Sequence, residues 1–134
     1  MDPRARRLAS PLALGAAAAL ATLALRLRDP HVSGSWGLCP TKALVDLDCP
    51  LCGTLRAVND LTHLDLGAAM SSNLLFVLAI PMIVILWVRP MVTGWRGGGA
   101  VRPLLIPTWA WVGSLAVLSI FTVVRNLPGS WLAA

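Results

Sequence analysis

The sequence predicts an all-α integral membrane protein with three transmembrane helices and a short interfacial amphipathic helix in a cysteine-containing loop. Three observations carry this. Hydrophobic residues make up 57% of the 134 residues and charged residues 13%, whereas soluble domains carry roughly 25% charged residues. Three uncharged apolar stretches, 8–25, 66–88 and 107–124, meet or approach the roughly 20 residues that cross a bilayer. The basic residues gather at the ends of those stretches, where they meet phosphate headgroups.

The same numbers exclude other classes. Disordered chains are poor in apolar residues. A net charge of +5 in a soluble protein would suggest nucleic acid, but no basic face with interleaved aromatics exists here. No nucleic-acid partner is therefore expected, and the lipid bilayer is. The chain reads as one membrane domain, 1–134, with no room for a separate soluble catalytic domain.

The first stretch follows Arg4, Arg6 and Arg7, as a signal peptide also would. Its apolar run exceeds the roughly 7–15 residues of a signal core, and Arg26 and Arg28 close it. It reads as a retained span. Ala13, Ala17 and Ala21 form a small-residue stripe suited to close helix packing, within the protein or between copies.

The loop 28–65 is the longest polar stretch. It holds all three cysteines, both histidines, the lone lysine and five of the six acidic residues. Its first half contains Pro30, Gly34, Gly37 and Pro40 and reads as irregular. After Cys49-Pro50, Leu55, Val58, Leu61 and Leu64 recur every three residues, with Arg56, Asn59, Asp60 and His63 between them. This is the amphipathic helix, expected along the membrane interface. Arg56 stands four residues before Asp60, the spacing of a helical ion pair. Its other role would be to hold a lipid phosphate or an anionic partner.

Asp65 is placed to cap the second span, and Pro81 to kink it. Asn73 reads as an interfacial position, with a polar contact inside the membrane as the functional alternative. Residues 89–106, with Gly97-Gly98-Gly99, form a flexible connection, and Pro107 takes the first turn of the third span. Trp87, Trp95, Trp109 and Trp111 gather near that connection, with Trp36 and Trp131 at the other end, as two aromatic belts. Six basic residues (Arg4, Arg6, Arg7, Arg89, Arg96, Arg102) face five (Arg26, Arg28, Lys42, Arg56, Arg125). The positive-inside rule then puts the N-terminus in the cytoplasm and the cysteine loop outside it.

The chemistry concentrates in Cys39-Pro40 and Cys49-Pro50-Leu51-Cys52-Gly53. A Cys-x-x-Cys pair brings two sulfurs to one point, with Pro50 pre-setting the turn and Gly53 free to adopt a left-handed backbone. Three readings stay open. In the first, the cysteines bind a metal, zinc above all, with Cys39 as third ligand and His63 or His31 as fourth. In the second, Cys49 and Cys52 are a redox pair with Cys49 at a helix N-terminus. In the third, two cysteines form a structural disulfide or all three pack the loop.

These residues resemble a known family, the small bacterial membrane proteins of the domain of unknown function 2752. Its members carry a Cys-Pro start, a leucine-bearing spacer and Cys-Pro-x-Cys-Gly-x-Thr-Arg-Ala. Here the chain reads Cys39-Pro40-Thr41-Lys42-Ala43-Leu44 and Cys49-Pro50-Leu51-Cys52-Gly53-Thr54-Leu55-Arg56-Ala57. A Gly-Asp-like turn, an Ala-Ala pair and an Asn follow in the family. Leu64-Asp65-Leu66, Ala68-Ala69 and Asn73 look like those positions. Two departures stand out: Thr54 lies one position early, and Leu74 replaces the proline that usually follows the Asn. The resemblance spans residues 39–88 and implies a bacterial cell membrane. It implies no activity.

A Ser–His–Asp order, a phosphate loop and paired carboxylates are not found, so an enzyme is not expected. The function read from the sequence is a small accessory or interaction protein, with a membrane-protein partner or a second copy, distinguished by its cysteine loop. The alternatives are a zinc-type binding module on Cys39, Cys49, Cys52 and His63, or a membrane thiol–disulfide protein using Cys49 and Cys52.

Overall fold

The computed structural model describes residues 3–32, 34–37, 39–96 and 105–132, with side chains from Leu8 onward. The expected Gly97-Gly98-Gly99 connection, Arg102 and the side chains of Arg4, Arg6 and Arg7 lie outside the described residues. Among the described residues five helices follow in order: α1 (Pro3–Leu27), α2 (Pro40–Val45), α3 (Thr54–Thr62), α4 (Leu66–Trp95) and α5 (Thr108–Arg125). No strand occurs among the described residues. α1, α4 and α5 are each long and apolar enough to cross a membrane.

Each expected span is present, with altered ends. α2 falls in the stretch expected to be irregular, because Pro40 fits a first helical turn. The second span runs on to Trp95. Pro107 is the N-cap of α5 rather than its first helical residue.

Asp65 caps α4 as expected, accepting from the Ala68 amide at 2.9 Å. α4 carries Pro81 inside it, and it also holds one residue with non-helical backbone, Asn73, at φ −161° and ψ 92°, which the sequence did not single out as a break. Asn73 Oδ1 accepts from the Phe76 amide at 3.0 Å, which makes Asn73 the N-cap of a second helical segment. From Leu74 to Trp95 that segment is about 33 Å long at about 1.5 Å per residue, close to a bilayer's apolar thickness of about 30 Å.

The interior is polar and the exterior apolar. Buried apolar residues are Leu25, Ala57, Ala69 and Phe121, whereas Asp48, Asn59, Asp60, Ser72, Asn73 and Arg125 are all buried. Leu78, Leu115, Ile120 and Val123 are exposed. In a bilayer this is the stable arrangement, because lipid solvates apolar side chains and polar groups must pair with one another. α3 follows the same logic. Ala57, Asn59 and Asp60 face inward, while Leu55 faces out.

α3 packs on α4 and α1, and α1 packs on α4. Asn59 Nδ2 donates to the Leu25 carbonyl at 2.8 Å, joining α3 to α1. Arg26 donates to the Thr62 carbonyl at the end of α3, where a cation complements the helix dipole. The expected Arg56–Asp60 pair is not formed: Asp60 instead accepts from the Ser72 hydroxyl at 2.8 Å and faces His31 Nε2 at 3.3 Å.

The α1–α4 contact runs through a different stripe from the one expected. Ala13, Ala17 and Ala21 are exposed, and Pro11, Gly15, Thr22 and Leu25 are the more covered positions. Trp87 fits over Gly15, where an added Cβ would come within 2.5 Å of the indole. Its Nε1 donates to the Pro11 carbonyl at 2.9 Å. Trp87 therefore packs between helices rather than serving a belt. The Trp95, Trp109, Trp111 and Trp131 side chains are exposed, as belt residues should be.

α5 is exposed along most of its length and joins the rest at its C-terminal end. Arg125 Nη2 donates to the Ser72 carbonyl at 3.1 Å, and its guanidinium lies 5.5 Å from the Phe121 ring centroid. Ser72 thus has the Asp60 carboxylate on its hydroxyl and the Arg125 guanidinium on its carbonyl.

Candidate metal centre

Two short segments bring the three cysteines together. Cys39 is the N-cap of α2, held extended at φ −64° and ψ 124° before Pro40. Cys49 and Cys52 flank a tight turn, with the Cys52 amide donating to the Cys49 carbonyl at 3.0 Å. Gly53 ends that turn at φ +76° and caps α3. A Cβ there would lie 2.2 Å from the Ser72 carbonyl oxygen, so Gly53 is required by both its backbone and the space around it.

The sulfurs converge. Cys49 Sγ is 3.1 Å from Cys52 Sγ and 3.6 Å from Cys39 Sγ, and no disulfide joins them. All three Sγ atoms lie within 4.8 Å of one another. Thiolates around one tetrahedral zinc stand about 3.8 Å apart, given Zn–S bonds of about 2.3 Å. The cluster fits that geometry with a small opening of the Cys49–Cys52 pair.

Asn73 holds the turn from behind. Its Nδ2 donates to the Pro50 and Cys52 carbonyls, each at 3.0 Å, and to Thr54 Oγ1 at 3.1 Å. Asn73 is 1% exposed, so these bonds form away from water. Asn73 thus makes buried polar contacts, and they go to the cysteine turn, just before the segment from Leu74 to Trp95. On the other flank, the Asp48 amide donates to Asn126 Oδ1 and Asn126 Nδ2 donates to the Asp48 carbonyl, each at 2.9 Å. Lys42 Nζ meets Asp48 Oδ1 at 3.0 Å.

The thiols differ in acidity. The Lys42 amide at the α2 N-terminus, close to Cys39 Sγ without closing a cap hydrogen bond, lowers the Cys39 thiol to about 6, helped by Cys52. Burial raises Cys52 to about 12, with the neighbouring Cys49 sulfur adding to the shift. Cys39 is the sulfur predisposed to be a thiolate.

His63 does not join the cluster. Its Nδ1 lies 2.9 Å from the Asn59 carbonyl, at the end of α3. His31 does not join either, because it bridges Asp29 at 2.8 Å and Asp60 at 3.3 Å. Both were fourth-ligand candidates, and the cluster contains only Cys39, Cys49 and Cys52 among the described residues. Pro50 and Gly53 support the turn as the sequence implied. Arg56 lines a half-open cavity of about 500 Å³ beside the sulfurs.

Sequence reasoning missed Asp48 and Asn126. Asn126 directly follows Arg125, which read as a headgroup anchor. No local pattern marks a contact across 78 residues.

No curated protein and no solved structure matches the chain. The stretch that builds the cysteine cluster, its Asn73 support and the α4 span is matched by a family model: residues 39–87 fit the family described as a protein of unknown function, DUF2752.

Proposed function

We propose that this chain is a small membrane-bound metal-binding module that holds a thiophilic ion, zinc first, on Cys39, Cys49 and Cys52. The supporting observation is the convergence of three sulfurs within 4.8 Å from segments ten residues apart in sequence. A buried support, Asn73, keeps the turn in that shape. Three thiolates and a divalent ion leave one coordination position for a ligand from outside the cluster. We read the module as a binding protein rather than an enzyme.

The arginine asymmetry supports a cytoplasmic N-terminus and an extracytoplasmic cysteine loop. Asn126, just after α5, touches Asp48 in that loop, so the loop and the end of α5 share one end of the molecule. A membrane-impermeant maleimide should label Cys39 of metal-stripped, reduced protein in intact cells. Labelling only after lysis would reverse the orientation.

The metal reading is tested on purified full-length protein loaded with Co(II). Sulfur-to-cobalt charge-transfer bands should appear and should be lost largely in each Cys→Ser variant, while His63→Ala keeps them. A second reading has its own support, the 3.1 Å approach of Cys49 and Cys52. A thiol–disulfide role predicts no metal uptake and a reversible Cys49–Cys52 bond by mass spectrometry.

A further inference from the structure

We infer that the fourth coordination position takes a small exogenous thiol bearing a carboxylate, its sulfur on the metal and its carboxylate on Arg56. This rests on the metal reading above. The cavity beside the cluster has a volume of about 500 Å³, and Cys39, Cys49, Cys52, Trp36, Lys42, Asp48 and Arg56 are among the residues lining it. That is the size of a small-molecule site, roughly 300–1,000 Å³.

The ligand's chemistry follows from what each wall leaves unsatisfied. A zinc-type ion bound by three sulfurs lacks one donor, and no His, Asp or Glu completes the cluster among the described residues. A soft ion prefers sulfur there. Lys42 is engaged by Asp48, and Trp36 uses its Nε1 on the Arg28 carbonyl at 2.8 Å. Arg56 is different. Its Nε reaches the Pro30 carbonyl at 3.4 Å, and its two terminal nitrogens have no partner among the described residues. A guanidinium presented this way suits a carboxylate, which it can grip with two parallel hydrogen bonds. The cation also offsets the net negative charge of a trithiolate centre with a divalent ion.

The experiment uses the Co(II)-loaded full chain in micelles and three probes: thioglycolate, 2-mercaptoethanol and acetate. Each is titrated at concentrations that leave the cobalt bound, and the visible d–d bands report the fourth ligand. Thioglycolate should shift the bands with an affinity about tenfold above that of 2-mercaptoethanol, the scale of one charge-assisted pair partly screened by water. Acetate should bind more weakly than thioglycolate. Arg56→Gln should erase the preference for thioglycolate while leaving the charge-transfer bands and the 2-mercaptoethanol response unchanged. Arg56→Lys should retain part of the preference, which guards against a variant that only disturbs the loop. Equal affinity for the two thiols, or an unchanged preference in Arg56→Gln, overturns this inference alone. Absence of the charge-transfer bands overturns the metal reading and this inference with it.

Discussion

The Asn126 side chain binds the Asp48 backbone reciprocally, accepting from its amide and donating to its carbonyl, each at 2.9 Å. A carboxamide pairs here with a peptide group as two peptide groups pair in a sheet. The partner precedes Cys49 by one residue, so the end of α5 is fastened to the metal-binding turn. Asn126→Ala should remove both bonds to the Asp48 backbone. The expected cost is about 1–3 kcal/mol. Thermal unfolding in micelles and a competitive metal titration should both report it, the latter as weaker binding. Unchanged values in both would mean the α5 end is not coupled to the turn.

Gly53 and Gly129 separate backbone strain from crowding. Both have positive φ, +76° and +74°. An added Cβ at Gly129 meets nothing within 4 Å, whereas at Gly53 it would sit 2.2 Å from the Ser72 carbonyl oxygen. Gly129→Ala should cost about 1 kcal/mol from the left-handed backbone alone. Gly53→Ala should cost at least about 2 kcal/mol more, because α3 must move away from α4. Equal unfolding temperatures for the two variants would count against this packing.

Leu64 carries φ +62° and is 92% exposed. It follows the C-cap of α3, where glycine is favoured because it has no Cβ to clash. Leu64→Gly should raise stability by about 0.5–1 kcal/mol. A destabilised variant would show that Leu64 contributes apolar contact with lipid that outweighs the strain.

The metal-free thiols should titrate apart. The Cys39 thiolate is favoured by the folded chain, so the stability it contributes is present above the ordinary thiol value of 9.0 and is lost as pH falls through about 6. Cys52 is favoured as the neutral thiol, so its contribution is full below 9.0 and is lost as pH rises toward about 12. Iodoacetamide alkylation, mapped by mass spectrometry, should give Cys39 a midpoint near 6. Cys52 should stay unreactive at pH values near 9.0, where an ordinary thiol is already modified. A Cys39 midpoint at the ordinary value would remove the α2 N-terminus as its cause.

Much of the architecture is legible in the residues themselves. A bilayer demands uninterrupted apolar runs, so the three spans can be read from composition alone. Asp65 before Leu66, and Cys49-Pro50-Leu51-Cys52-Gly53, are local patterns whose geometry depends on neighbours in sequence. Three sulfurs at one point are therefore nearly implied once Cys39 is near. What the tertiary structure alone decided is which polar groups meet. Arg56 four residues before Asp60 looks like an ion pair, but Asp60 turns inward to Ser72 and His31. Asn73 does not look like a break in α4, yet the non-helical backbone lies there, where a buried side chain has carbonyls to satisfy. His63 looks like a ligand and faces its own helix end. Periodicity reports which face of a helix is apolar, and in a membrane that face turns outward to lipid. The inward face is polar, and its hydrogen-bond partners come from segments up to 78 residues away, a distance at which local spacing carries no information.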